Sequence, residues 1–217
     1  MYKRQQHVRI IGSPALDDLP TIEPLDDEQW HRLGQPGAVF LMHPIGRHDE
    51  AEEAAAAIAL DALRAALPGQ SILALEPNHD PGRNGIRRAI AAAGLNAVSH
   101  LPRPIFVALL KRMARQRPRA AALLVGNSSA ALIEAAALGI PAIDVGRRQS
   151  GRERPDSVIH AEESADSIAR AVAKAATLDL RGIAHPYGDG RAGPRAAAAL
   201  AELDPTTSAL LRKRCVY

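Results

Sequence analysis

The sequence predicts an α/β chain built on a doubly wound, parallel, Rossmann-like sheet, and two observations carry that prediction. Short apolar runs rich in strand formers alternate with longer stretches of helical period, the pattern of repeated βαβ units. Polar and cationic residues recur just past the ends of those runs, where such a sheet presents its carboxyl edge to ligands. The runs are 8–11 (VRII), 38–42 (AVFLM), 72–75 (ILAL), 97–99 (AVS), 122–125 (ALLV) and 142–145 (AIDV). Helical patterns occupy 49–66, 83–93, 105–116 and the alanine-rich 129–138. A further helix is expected over 164–176, with Glu162 and Glu163 near its positive end, and another over 192–203. His43, Asn78, Leu101, Ser128 and Arg148 all fall just after expected strands.

Composition narrows the class. A chain of 217 residues suits one domain with a proper core. Hydrophobic residues make up 47% and aromatics 3%, with alanine the main filler, so helices should pack through small side chains. No apolar stretch has the length and purity of a membrane span, and MYKRQQH lacks the apolar core of a signal peptide. One cysteine, Cys215, forms no internal disulfide, which fits a reducing cytoplasm. A net charge of +3 is too small and scattered to argue for nucleic acid. The expected organisation is a start at 1–7 that is non-native or disordered, one Rossmann-like domain over 8–204, and a polar tail over 205–217.

The segment VGNSSAALIEAAALGIPAIDVGRRQSGRERPDSV, residues 125–158, carries the functional signal. A strand ends in Gly126-Asn127-Ser128-Ser129 and opens into a helical pattern. The first N–H groups of a helix lack internal partners and its dipole is positive there, so a phosphate fits. Ser128 and Ser129 can add hydroxyl donors. Glu134, further along, is placed to accept hydrogen bonds from a ribose, as acidic residues do in other nucleotide sites. The strand at 142–145 delivers Arg147 and Arg148 to the same edge, where an arginine can neutralise a diphosphate. The bland alternatives are that Ser128 only caps its helix, that Glu134 is solvated, and that the arginines are surface charge. His43 can move a proton near neutral pH, or it can be a capping or core histidine. Phe106 can stack on a base, or it can be core. His79 and Asp80 hint at a metal, but no second cluster stands at ligand spacing, so no metal and no cofactor is expected.

The order of seven blocks resembles the hydrolysing UDP-N-acetylglucosamine 2-epimerases of sialic-acid and related sugar pathways. The blocks are GSPALDDL (12–19), MHP (42–44), PNHDPG (77–82), HLPRPIF (100–106), GNSSAALIEAAALGIP (126–141), GRRQSGRERPDSV (146–158) and YGDGRAGPR (187–195). The GNSS and RQSGR blocks are the most specific, and the latter favours the hydrolysing branch over the non-hydrolysing one. The resemblance implies a GT-B enzyme of two Rossmann-like domains with the site in the cleft between them. It implies that GSPALD, here at residue 12, opens the second domain, so the first, with the carboxylates that handle protons at the sugar, would lie upstream. MYKRQ matches the translation of a common transposon-derived adapter, which leads to the expectation of a reading frame cut upstream.

What the resemblance implies about the site is specific. His43 takes the position of the active-site histidine. Ser128, Ser129, Glu134, Arg148, Leu101, Phe106 and Asn78 take positions around UDP, with the main chain at Leu101 reading the uracil edge. Two departures stand out: many relatives continue HPVT where this chain has His43-Pro44-Ile45-Gly46, and many have glycine where it has Ala131. The methyl of Ala131 either crowds the phosphate or tightens the helix. The expected partners are UDP-N-acetylglucosamine or a related UDP-amino sugar, an N-terminal domain in cis or trans, and a second copy of the chain. The reaction implied is elimination of UDP followed by hydration to N-acetylmannosamine, with the isolated chain inactive. Two alternatives stay open: a stand-alone, non-catalytic UDP-sugar binding module, or the donor-binding domain of a GT-B glycosyltransferase.

Overall fold

A computed structural model describes residues 8–117, 121–204 and 206. The expectations for 1–7 and, residue 206 apart, for the tail 205–217 lie outside the described residues. In chain order the elements are α1 (Asp27–Arg32), β1 (Ala38–Leu41), α2 (Asp49–Ala66), β2 (Ile72–Leu75), α3 (Arg83–Ala92), β3 (Asn96–Val98), α4 (Arg103–Gln116), β4 (Leu123–Gly126), α5 (Glu134–Ala137), β5 (Ala142–Val145), β6 (Val158–Ala161), α6 (Ala165–Thr177) and α7 (Ala192–Ala201). The six strands form one parallel sheet in the order β3-β2-β1-β4-β5-β6. The chain winds outward from β1 to β3, crosses back, and winds outward again from β4 to β6. The Rossmann-like class expected from the sequence is therefore observed, and its switch point lies between β1 and β4.

Parallel strands need cover on both faces, and alternate side chains supply it. Phe40 and Met42 face α2, α3 and α6, where Ala56, Ala59, Leu60, Leu63, Ile86 and Ile168 bury against them. Val39, Leu73 and Leu124 face the other way, onto Trp30 of α1, Leu109, Leu110 and Met113 of α4, and Ala135 of α5. Each fully buried leucine, isoleucine or phenylalanine contributes about 1.5 to 3 kcal/mol. Alanine brings α2 close to the sheet, and Gly85 brings α3 onto α2 so closely that a Cβ there would overlap the Asp49 carbonyl. Among the described residues no helix is long and apolar enough to cross a membrane.

Two expectations need correction. Residues 8–11 form no strand: Ile10 is 94% exposed, and the segment runs beside α7, with Arg9 on Glu202 and the Ile11 carbonyl accepting from Arg195. The single helix over 129–138 is instead a 3-10 turn, Ser129–Ala131, and the four-residue α5. Ile133, at φ −101° and ψ −75°, separates the two pieces, and its carbonyl accepts from His185 Nε2 as well as from the Ala137 N–H. Two elements went unforeseen, α1 and β6. The first hides its only large apolar residue, Trp30, behind a capping box of Asp26 and Gln29; the second places polar His160 on an edge strand.

The first and last family-like blocks turn out to clasp one another. Asp17 accepts from the Ala192 and Gly193 N–H groups at the start of α7, and Ser13 N–H donates to the Tyr187 carbonyl at 2.7 Å. That clasp ties the segment before α1 to the last helix and gives both blocks a structural role.

Gly126 sets the close approach at the switch point. Its φ is +145°, and a Cβ would stand 1.9 Å from the Leu41 carbonyl oxygen. Gly126→Ala should lower unfolding free energy by about 2 to 4 kcal/mol, combining overpacking and backbone strain. Gly151→Ala, at φ +80° in open space, should cost about 1 kcal/mol. Urea denaturation of both variants checks the difference.

Candidate functional site

The carboxyl ends of β1 and β4 are joined by one side chain. Asn127, 1% exposed just past β4, accepts from the His43 N–H through Oδ1 at 2.7 Å and donates through Nδ2 to the His43 carbonyl at 2.8 Å. An amide is suited to this because it carries a donor and an acceptor at the spacing of one backbone residue. Its own main chain is held too, the N–H on the Leu41 carbonyl. The Asn127 carbonyl accepts from Gln149 Nε2 at 2.8 Å and Arg148 Nη1 at 3.2 Å, which brings in the loop after β5. Three loops of the crevice therefore meet on one residue.

His43 is fixed in orientation and in tautomer. The Asn78 N–H donates to its Nδ1 at 3.1 Å, so the neutral ring carries its proton on Nε2. Burial, and then the positive charge of Arg148, push its pKa down from 6.5 to about 4, against the smaller pull of Asp80. His43 is thus a neutral hydrogen-bond donor at physiological pH, rather than a base with a free lone pair. The loop that carries it is anchored by Glu52, fully buried in α2, whose Oε1 accepts from the Ile45 and Arg47 N–H groups. Arg47 then bridges Glu52 to Glu163, and both carboxylates hold its guanidinium charged.

A cavity of about 490 Å³ lies beside this crevice, along the ends of β1, β2 and β3. His43, Asn78, Leu101, Arg103 and Phe106 are among its walls. Phe106 packs against the core and also forms part of the cavity wall. The structure thus brings His43, Asn78, Leu101 and Phe106 around one space, with Arg148 connected through Asn127.

The serines and Glu134 occupy the other flank. Ser128 caps its own turn, as the bland reading had it, accepting from the Ala130 N–H. Its main-chain N–H and that of Ser129 have no partner among the described residues. Those two donors survive the loss of the long helix, although a short turn carries little of the dipole expected for it. The Ala131 methyl is buried in the core, so it does not intrude on the crevice. Glu134, the first residue of α5, has Oε1 bound to Arg103 Nη1 at 2.6 Å. Arg148 is exposed and meets no carboxylate among the described residues, whereas Arg154 is paired with buried Asp144.

Asn127 and Arg103 were not singled out from the sequence. The side-chain partner of Asn127, the His43 backbone, lies 84 residues away, and nothing local announces it. Arg103 did leave a trace: it is a cation in the first turn of a helix with no acidic residue there, the electrostatically unfavourable end.

The sheet order, the switch-point crevice and the adjoining cavity define a Rossmann-like α/β domain with its candidate site outside the carboxyl ends of the strands. Residues 1–201 match the protein family described as UDP-N-acetylglucosamine 2-epimerase. The chain is 32% identical over 187 residues to the UDP-N-acetylglucosamine 2-epimerase of Neisseria meningitidis serogroup B, covering 82% of this chain and 46% of that protein. It is 26% identical to the hydrolysing UDP-N,N'-diacetylbacillosamine 2-epimerase of Legionella pneumophila, covering 100% of this chain and 57% of that one. Its fold is similar to the crystal structure of the Neisseria meningitidis UDP-GlcNAc 2-epimerase bound to UDP-GlcNAc, with a TM-score of 0.70 at 14% identity over 93% of this chain and 57% of that chain. The chain belongs to the UDP-N-acetylglucosamine 2-epimerase family. It spans about half the length of the relatives it matches.

The depressed His43 pKa has a consequence for stability. Between about pH 4 and 6.5 the unfolded chain binds a proton at this ring that the folded chain refuses. Stability should therefore fall as pH drops through that window, with no contribution from His43 above it. His43→Gln should flatten that part of the pH dependence of the urea midpoint. NMR titration of the ring should show a midpoint near 4; a midpoint near 6.5 would contradict the buried, neutral assignment.

Proposed function

We propose that residues 8–204 form the UDP-binding domain of a hydrolysing UDP-N-acetylglucosamine 2-epimerase, acting on UDP-N-acetylglucosamine or a related UDP-amino sugar. The observation that carries this reading is the meeting of three loops on Asn127. At one switch point they gather an exposed guanidinium with no carboxylate partner and two main-chain N–H groups with no partner among the described residues, together with a neutral imidazole donor. That set suits a diphosphate that gains charge as it leaves a sugar. The cavity size falls in the ordinary range for a small-molecule site, and Phe106 and Leu101 in its wall suit a uracil ring. Glu134 would accept from the ribose. The RQSGR block and the similarity to a hydrolysing relative support the hydrolysing branch.

The roles follow from charge and proton position. Arg148 and the Ser128 and Ser129 N–H groups would stabilise the departing UDP. His43 would donate from Nε2 to a phosphate or sugar oxygen; with Nδ1 occupied and its proton affinity low, it is a poor base for a carbon-bound proton. A base must lie within hydrogen-bond reach of the proton it removes. We assign that role to carboxylates in the part of the relatives that this chain does not span. By itself the chain should bind UDP with a dissociation constant of about 0.1 to 1 mM, since half a cleft keeps contacts and loses closure.

The test is turnover of UDP-N-acetylglucosamine followed by NMR. The isolated chain should give no product. With the complementary half of a relative supplied as a fusion, free UDP and N-acetylmannosamine should appear together. Accumulation of intact UDP-N-acetylmannosamine would place the protein in the non-hydrolysing branch, and turnover by the isolated chain would move the base into these residues.

A further inference from the structure

The first turn of α4 holds a side chain that the proposed function leaves without a task. Arg103 stands in the cavity wall, yet its guanidinium turns outward to two carboxylates on different segments. Nη1 donates to Glu134 Oε1 at 2.6 Å; Nε and Nη2 donate as a fork to Asp18 Oδ2 and Oδ1 at 3.2 and 2.9 Å. Nη2 also reaches the Ala15 carbonyl. The planar fork can hold two carboxylates at fixed angles, which a lysine ammonium cannot do.

The consequence falls on Glu134. Its side chain is only 12% exposed, and Arg103 is its single partner among the described residues. One oxygen is therefore committed to Arg103. The other, Oε2, has no partner and is not enclosed, so it remains as an open acceptor beside the site. A carboxylate held this way keeps one rotamer, so its other oxygen meets an incoming hydroxyl at a set position. Without Arg103, Glu134 would swing among rotamers, and a hydroxyl would have to immobilise it on binding. A cation at a helix N-terminus opposes the dipole, and two acidic partners drawn from distant segments offset that cost.

We propose that Arg103 is a positioning residue that sets selectivity for the ribose: by locking Glu134 through one oxygen, it aims the other at the sugar hydroxyls and lets the site prefer a ribonucleotide to a deoxynucleotide. The proposal rests on the reading of Glu134 as the ribose acceptor. Asp18 belongs to the same device, as the anchor that keeps the guanidinium from following Glu134.

The experiment compares UDP with 2′,3′-dideoxy-UDP by calorimetry on the full chain, in the wild type, Glu134→Gln, Arg103→Ala and Arg103→Lys. The wild type should prefer UDP by about tenfold, the scale of one hydrogen bond to a charged group. Arg103→Ala should bring that ratio to about two or less, through weaker UDP binding with dideoxy-UDP affinity nearly unchanged. Arg103→Lys keeps the charge and most of the bulk, lacks the fork, and should also lose most of the preference; it carries the test if the alanine variant does not fold. A ratio that stays near tenfold in a folded Arg103 variant, while Glu134→Gln abolishes it, overturns the proposal and leaves the ribose reading standing. A wild-type ratio near one, or a ratio unmoved by Glu134→Gln, removes the ribose reading and the proposal together. Equal weakening of both nucleotides in Arg103→Ala and Arg103→Lys shows a general structural role and also overturns it.

Discussion

The side-chain amide of Asn127 is the constraint on which the site depends. It stands where β4 ends beside β1, at the point where the winding of the sheet reverses and its connections diverge to opposite faces. A crevice at that place is a consequence of topology alone. The amide turns it into a site by fastening the His43 backbone on one side while its carbonyl draws Arg148 and Gln149 across on the other. All of this requires the two strand ends to approach closely, which Gly126 permits and a larger residue would prevent. A buried amide without these partners would be costly, so the fold and the geometry of the crevice stand or fall together.

Two further networks carry the arrangement outward. Glu52, Arg47 and Glu163 pin the loop after β1 to the loop after β6, with Glu52 buried and accepting from main-chain and side-chain donors. Asp144, buried in β5, takes the charge of Arg154 and so fixes the far end of the arginine-rich loop. Arg148, in the same loop, meets no carboxylate among the described residues and donates to the Asn127 carbonyl. In consequence the fold separates arginines that hold the scaffold from one that faces the crevice, a distinction invisible in the string RRQSGRER.

Much of the fold was legible because local pattern and tertiary requirement agreed. Asp49–Ala66 has the amphipathic spacing of a helix, and Ile72–Leu75 is as apolar as a two-sided strand must be. The pattern failed where a tertiary partner decided the outcome. Residues 8–11 look like a strand but lie beside α7 without pairing, and 129–138 look like one helix but break at Ile133, whose carbonyl also accepts from His185. For the site, position was legible and connection was not. His43, Asn78, Leu101, Ser128 and Arg148 were placed at strand ends from the sequence, and each lies two or three residues past the end of its strand. Which of them touch, and that Asn78 fixes the His43 tautomer, depends on contacts across 21 to 84 residues.

The central claim is that the crevice at Asn127 receives a diphosphate. The most direct measurement is the calorimetric affinity of wild type and Arg148→Ala for UDP and for uridine, at constant ionic strength. Arg148 is exposed, so its loss should leave the fold intact. The account predicts that UDP binding weakens by about tenfold, or 1.4 kcal/mol, with uridine binding unchanged. Equal loss for both ligands, or no loss for either, would contradict it.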